Sequence, residues 1–248
     1  MATANMPASP TKQENVFLFV PNLIGYTRII FATTSLYYMP YHPRTCALLY
    51  SISCLLDALD GAAARHLNQS TRFGAVLDMV TDRCTTTCLL VFLASAFPRW
   101  SIVFQSLISL DYASHYIHMY ATLALGGNRS HKEIDERWPW ALRVYYENAN
   151  VLFTVCLFNE LFFIALYLLS FSSDSDASVE SWSSAWSAGA MEMARANKIS
   201  NFWPRVLFSI SSPVMLYKQF VNVVQLVQAS RRIAQGDIEA RRKERRDS

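Results

Sequence analysis

Four aspartates fall within or beside two apolar stretches of the sequence: Asp57, Asp60, Asp78 and Asp82. The first two are three residues apart and the last two are four apart, so each pair would share one face of a helix. One carboxylate in the middle of a membrane helix costs about 2.5–3.5 kcal/mol, so four would cost about 10 kcal/mol or more. Helix packing alone does not offset such a cost. The pattern therefore predicts a bound partner for these carboxylates.

A divalent cation is the partner that this chemistry favours. Oxygen-only ligands are typical of Mg²⁺ or Mn²⁺ rather than zinc. Gly61 and Gly74 would leave room for a diphosphate, and Arg65, one turn beyond Gly61, could offer its planar guanidinium to phosphate oxygens. The alternative is that the aspartates pair with Arg65, Arg72 and Arg83 as contacts between helices. Such pairing would account for one or two of the four, so we expect a site for metal and diphosphate.

The elements that would position these residues are apolar segments long enough to cross a bilayer. The chain has 248 residues, of which 52% are hydrophobic and 17% are charged, against about 25% charged in soluble domains. We predict an all-α integral membrane protein of about six transmembrane helices, with residues 1–230 as the membrane domain and 231–248 as a basic cytosolic tail. The predicted spans are 23–41, 45–65, 74–97, 102–125, 151–171 and 206–229.

The distribution of charge predicts the topology. Arginine and lysine are concentrated in the second and fourth connections and in the C-terminal tail, and such residues favour the cytosolic side. Both termini, and the membrane boundary nearest the aspartates, are therefore expected to face the cytosol. The net charge of +3 is mild, so the sequence does not predict a nucleic-acid partner.

The four aspartates belong to a longer motif with fixed spacing. It reads Asp57-x2-Asp60-Gly61-x2-Ala64-Arg65-x8-Gly74-x3-Asp78-x3-Asp82. At every fixed position the motif resembles the signature of the CDP-alcohol phosphatidyltransferase family. Further segments, 22–28, 57–61, 72–83 and 130–132, resemble the eukaryotic phosphatidylinositol synthases of that family. The resemblance covers roughly residues 15 to 170.

The resemblance implies an activity and a set of residue roles. The family binds a CDP-linked lipid with its diphosphate on two Mg²⁺ or Mn²⁺ ions. Carried over residue by residue, the metal ligands would be Asp57, Asp60, Asp78 and Asp82, with Asp82 also the general base, and the contacts to CDP-diacylglycerol would be Gly61, Arg65 and Thr71. The products would be phosphatidylinositol and CMP, formed at the endoplasmic reticulum membrane by a homodimer whose active site faces the cytosol.

The alcohol acceptor is the least determined part of the site. The candidates for contacting myo-inositol are Asp111, His115, His118, His131, Lys132 and Arg143. The first three fall at i, i+4 and i+7 of the fourth span and could bind a polyol, or they could form a buried Asp–His pair. The last three lie in the next connection and could be simple positive-inside charge. Serine and glycerol-3-phosphate stay open as alternative acceptors. An ion-coupled transporter stays open as an alternative function, although the sequence shows no internal repeat of the kind that many transporters have.

Overall fold

The computed structural model describes residues 15–125, 145, 148–172, 197 and 199–247. These residues form six α-helices and contain no β-strand, which confirms the all-α prediction. The helices are α1 (Val20–Tyr38), α2 (Pro43–His66), α3 (Arg72–Ala96), α4 (Ser101–Leu125), α5 (Ala149–Ser170) and α6 (Phe202–Asp247).

The predicted spans agree with these helices to within a few residues, except at the end of α6. That helix continues to Asp247, well beyond the predicted span end at 229. The prediction followed the loss of apolar residues, but Arg, Lys, Glu and Ala are good helix formers without any apolar face. The last part of α6 is accordingly helical and exposed.

A short turn joins the two helices that carry the aspartates. Asn68 adopts a left-handed conformation with φ of 53°, which asparagine tolerates better than most residues. The Gln69 amide donates to the Ala64 carbonyl (3.0 Å) and so closes the end of α2. Thr71 then caps α3, because its hydroxyl accepts a hydrogen bond from the Gly74 amide at 3.0 Å. Helix α1 packs against both α2 and α3, so its residues can reach both aspartate pairs.

The bundle exposes apolar side chains and buries polar ones. Ile30, Leu48, Ile102 and Leu216 are each more than 60% exposed. The polar or charged side chains that are less than 5% exposed include Asn22, Arg28, Ser35, Ser53, Ser114, Lys218, Asn222 and Gln225. Contiguous exposed apolar surface marks contact with a partner or a membrane, and buried polar groups in membrane helices face the bundle interior. The pattern is that of helices surrounded by lipid.

An apolar core holds one end of the bundle together. Leu89 and Leu93 in the second half of α3 belong to the same buried cluster as Phe163 and Tyr167 on α5. The Tyr167 hydroxyl also donates to the Met39 carbonyl at the end of α1 (2.7 Å). Asp57 and Asp60 lie in the second half of α2, and Asp78 and Asp82 lie in the first half of α3, so the core fixes the helices without occupying the site.

In the part of the chain that the structure describes, two helices are long and apolar enough to cross a membrane on their own, namely α2 and the segment Asn150–Ser170. Within the described residues, α3 and Pro98–Leu123 meet the same test only as a pair, bent by 120°. Helix α3 carries the charges of the site, which lower its mean hydropathy. The six-span topology with both termini in the cytosol stays a prediction.

Candidate active site

The side chain of Arg28, on α1, lies at the centre of the aspartate cluster and is 2% exposed. Its Nη1 donates to Asp60 Oδ2 (2.9 Å) and to Asp78 Oδ1 (2.7 Å). Its Nη2 lies 2.6 Å from Asp57 Oδ1 and donates to Asp82 Oδ1. One guanidinium from α1 therefore joins two carboxylates of α2 to two of α3.

Sequence reasoning missed this arginine and considered Arg65, Arg72 and Arg83 instead. Arg83 Nη2 lies 3.7 Å from Asp82 Oδ2. In the described part of the chain, neither Arg65 nor Arg72 lies within 4.0 Å of a carboxylate. A signal for Arg28 was present, since a lone arginine within an apolar span requires an acidic partner or a polar cavity.

The donor set at this cluster fits a divalent cation. Asp57, Asp60 and Asp78 each offer one carboxylate oxygen, and these oxygens lie within 4.8 Å of one another. Asp57 Oδ1 is buried and accepts no well-formed hydrogen bond, although Arg28 is close. Four carboxylates meet two guanidinium groups, since Arg28 contacts all four and Arg83 contacts Asp82, so the cluster keeps a formal net negative charge. Hard cations such as Mg²⁺ and Mn²⁺ prefer such oxygen ligands.

Gly61 and Gly74 play different parts in the geometry. A Cβ at Gly61 would meet only the Arg65 side chain, with Nη1 at 3.4 Å. The exposed Arg65 guanidinium thus lies over Gly61. A Cβ at Gly74 would stand 2.9 Å from Asn22 Oδ1 and 3.1 Å from Thr71 Oγ1. We expected Gly74 to leave room for a ligand, but the structure shows that this space is filled by the close packing of α1 on α3.

The predicted acceptor residues on α4 form an Asp–His pair linked to the cluster. Asp111 Oδ2 lies 2.9 Å from Arg83 Nε, and Arg83 in turn contacts Asp82. His115 Nδ1 lies 3.4 Å from Asp111 Oδ1 and 2.9 Å from the Asp111 carbonyl. His118 follows on the same helix. The other predicted contacts lie outside the described residues: His131, Lys132 and Arg143.

A further carboxylate that the sequence did not single out is Glu160 on α5. The Tyr50 hydroxyl donates to Glu160 Oε2 at 2.7 Å, and Thr86 and Asn159 donate to Oε1 at 3.3 and 3.2 Å. These bonds connect α5 to α2 and α3. The sequence did contain a signal for Glu160, because an acidic residue within a predicted membrane span requires polar partners.

Comparisons with known proteins identify the family of this chain. The family model for CDP-alcohol phosphatidyltransferase matches residues 18–169. The chain is 48% identical over 240 residues to the CDP-diacylglycerol–inositol 3-phosphatidyltransferase of Schizosaccharomyces pombe, covering 96% of this chain and 98% of that protein. Proteins with the same name in Rattus norvegicus and Homo sapiens are 46% and 44% identical, and in each case the match covers 94% of this chain and 99% of the relative.

No solved structure matches the chain. The family match covers more than half of the sequence and includes all four aspartates around Arg28. The chain therefore belongs to the CDP-alcohol phosphatidyltransferase family.

Proposed function

We propose that this protein transfers the phosphatidyl group of CDP-diacylglycerol to a hydroxyl of myo-inositol, giving phosphatidylinositol and CMP. The observation that carries the proposal is the convergence of the four signature aspartates on one buried guanidinium. The relatives that match almost the whole chain bear the name of this activity. Serine or glycerol-3-phosphate would be the alternative acceptors for the same chemistry.

The family resemblance assigns a role to each aspartate, and the clustering of the four carboxylates supports these roles. Asp57, Asp60 and Asp78 would hold a divalent metal ion, and Asp82 would lie beside the second ion of a two-metal site. A bound Mg²⁺ or Mn²⁺ supplies charge neutralisation for the diphosphate and the departing CMP. Asp82 would accept the proton of the attacking hydroxyl. Arg28 and Arg83 both contact Asp82 and hold its carboxylate in place.

The donor nucleotide would lie at the start of α3 and the end of α2. Arg65 is exposed beside Gly61, so its guanidinium can bind phosphate oxygens in a bidentate manner. The Thr71 hydroxyl accepts from the Gly74 amide, and its own O–H is able to donate to the nucleotide. We place this surface on the cytosolic side of the endoplasmic reticulum membrane, in a homodimer. The basic residues at the exposed end of α6 support the cytosolic assignment.

The test is transfer by the purified protein with CDP-diacylglycerol and either Mg²⁺ or Mn²⁺. Radiolabelled inositol, serine and glycerol-3-phosphate are offered separately, and CMP release is measured in parallel. We expect metal-dependent incorporation of inositol alone. Incorporation of another alcohol would keep the chemistry and overturn the acceptor, and no CMP release from folded protein would overturn the transferase.

The variant Asp82→Asn tests the base. Loss of a general base should lower turnover about 10²–10⁴-fold, while CDP-diacylglycerol still binds. Asp237→Asn is the matched control, since Asp237 is exposed on the last part of α6 and its replacement should leave turnover unchanged. Equal activity of the two variants would exclude Asp82 as the base.

A further inference from the structure

Three polar side chains form a buried stripe on α6. Lys218, Asn222 and Gln225 follow one another at i, i+4 and i+7 and are 4%, 1% and 2% exposed. This spacing places them on one face of the helix. Polar residues inside membrane helices are costly and usually mark a functional path or a binding site. The proposed transfer chemistry does not use any of them.

The stripe has unmet hydrogen-bonding capacity. Asn222 Oδ1 and Gln225 Oε1 are buried and have no hydrogen-bond partner among the residues that the structure describes. Lys218 Nζ donates to the Tyr145 hydroxyl at 3.0 Å and lies 4.9 Å from the centre of that ring. No described carboxylate lies within 4.0 Å of Lys218. A buried amide oxygen without a donor destabilises the fold, so packing alone would favour leucine at these positions. A ligand that supplies hydroxyl donors accounts for them.

Helix α6, which carries the stripe, packs along both α4 and α5. Asp111 and His115 on α4 have the same i, i+4 spacing as Lys218 and Asn222 on α6. Asp111 Oδ2 on α4 lies 2.9 Å from Arg83 Nε. Arg83 contacts Asp82 directly. A ligand between this stripe and α4 would therefore lie beside the proposed base.

We propose that Lys218, Asn222 and Gln225 form a wall of the acceptor site that binds the hydroxyl groups of a neutral polyol. The inference rests on the proposed function and deepens it. The two amide oxygens accept from hydroxyl groups, and the ammonium donates to a hydroxyl oxygen. A phosphorylated acceptor would call for several cations, whereas the stripe carries one. The composition of the stripe thus selects an uncharged polyol such as inositol.

The test uses Asn222→Leu and Gln225→Leu in the purified full-length protein, with radiolabelled inositol as the probe. Each variant should raise the KM for inositol about five- to tenfold, as expected for one lost hydrogen bond, while the KM for CDP-diacylglycerol stays unchanged. Without inositol, each variant should melt at about the wild-type temperature or above it, because a buried amide oxygen without a donor has been removed, and in Asn222→Leu only the 3.3 Å bond from Asn222 Nδ2 to Gln219 Oε1 is lost. The shift in melting temperature that inositol causes should fall. Gln228→Leu, a half-buried amide on α6 outside the stripe, is the matched control and should behave as wild type.

A second measurement does not depend on the stability of the leucine variants. Deoxyinositols that lack single hydroxyl groups are offered to the wild-type protein, and at least one should lose affinity about five- to tenfold. The variant that lacks the matching amide should bind this deoxyinositol and inositol with equal affinity, because the hydrogen bond is already missing. This comparison has the form of a double-mutant cycle.

The two ideas fail in different ways. Inositol transfer by the wild type with unchanged inositol KM in both leucine variants would overturn the acceptor wall and leave the transferase standing. Equal affinity of the wild type for every deoxyinositol would also overturn the wall. Absence of transfer by the wild type to any alcohol would overturn the proposed function itself, and the inference with it.

Discussion

Replacing Arg28 by glutamine removes a positive charge that contacts all four aspartates. Arg28 is 2% exposed and lies within hydrogen-bonding distance of carboxylates on both α2 and α3. Breaking a buried ion pair by removal of one partner costs about 3–5 kcal/mol, because the other charge is left uncompensated. A change of 1 kcal/mol shifts the melting temperature of a chain this long by about 2–4 °C. Without metal, Arg28→Gln should therefore melt about 6–20 °C below the wild type.

Divalent cations should have the opposite effect on the variant. Unit charges 4 Å apart interact by about 4 kcal/mol at an effective dielectric constant of 20. Arg28 therefore repels a cation at the cluster by more than the roughly 1.4 kcal/mol that corresponds to tenfold affinity. Arg28→Gln should bind Mn²⁺ at least about tenfold more tightly than the wild type, and saturating Mn²⁺ should restore most of the lost thermal stability.

The assay is thermal denaturation of the purified protein in detergent, with and without Mn²⁺, together with equilibrium titration of Mn²⁺. Arg44→Gln is the control, since Arg44 is exposed at the start of α2 and its loss should change neither quantity. Arg28→Lys keeps the charge but not the planar guanidinium, so it should fall between wild type and glutamine. If Arg28→Gln has the melting temperature of the wild type and binds Mn²⁺ no more tightly than the wild type, Arg28 is not the counter-ion of the cluster.

Two other predictions rest on described contacts, and a third rests on the predicted topology. Gly74→Ala should lower the melting temperature by several degrees, because a Cβ would stand 2.9 Å from Asn22 Oδ1, while a melting curve like that of the wild type would show that α1 can move away. Tyr50→Phe should destabilise the protein by about 1.5–3 kcal/mol through loss of the 2.7 Å bond to Glu160, whereas Thr86→Val, which removes a bond of 3.3 Å, should cost less. The sequence contains two N-glycosylation sequons, Asn68-Gln-Ser70 and Asn128-Arg-Ser130. Both should carry no glycan on expression in eukaryotic cells, because both lie on the predicted cytosolic side. A mass shift that a glycosidase removes would contradict the topology.

The helices were predictable because their apolar periodicity is local. Thr71 at the cap of α3 and Asn68 in the preceding turn are local signals of the same kind. The continuation of α6 past Ala229 was missed because an exposed helix made of charged residues has no apolar face to detect.

The site was only partly predictable because its contacts are distant in sequence. The pairing of Asp57 with Asp60 on one helix face follows from spacing alone. Spacing does not reveal which helix lies opposite, and Arg28 is 32 to 54 residues from the carboxylates to which it donates. The α6 stripe escaped notice for a related reason, since Asn222 and Gln225 stand out only once their burial is known.

The order of the residues along the chain bears on how the site is made. Arg28 and the four aspartates all lie between residues 28 and 82, on the first three helices. Chains emerge from the ribosome N-terminus first, so the charged cluster can close before α4, α5 and α6 have been synthesised. Early pairing with Arg28 would lower the cost of carrying four acids into the membrane. It would also allow the proposed donor site to form before the helices that we propose to line the acceptor site, with Arg83 and Asp111 joining the two parts later.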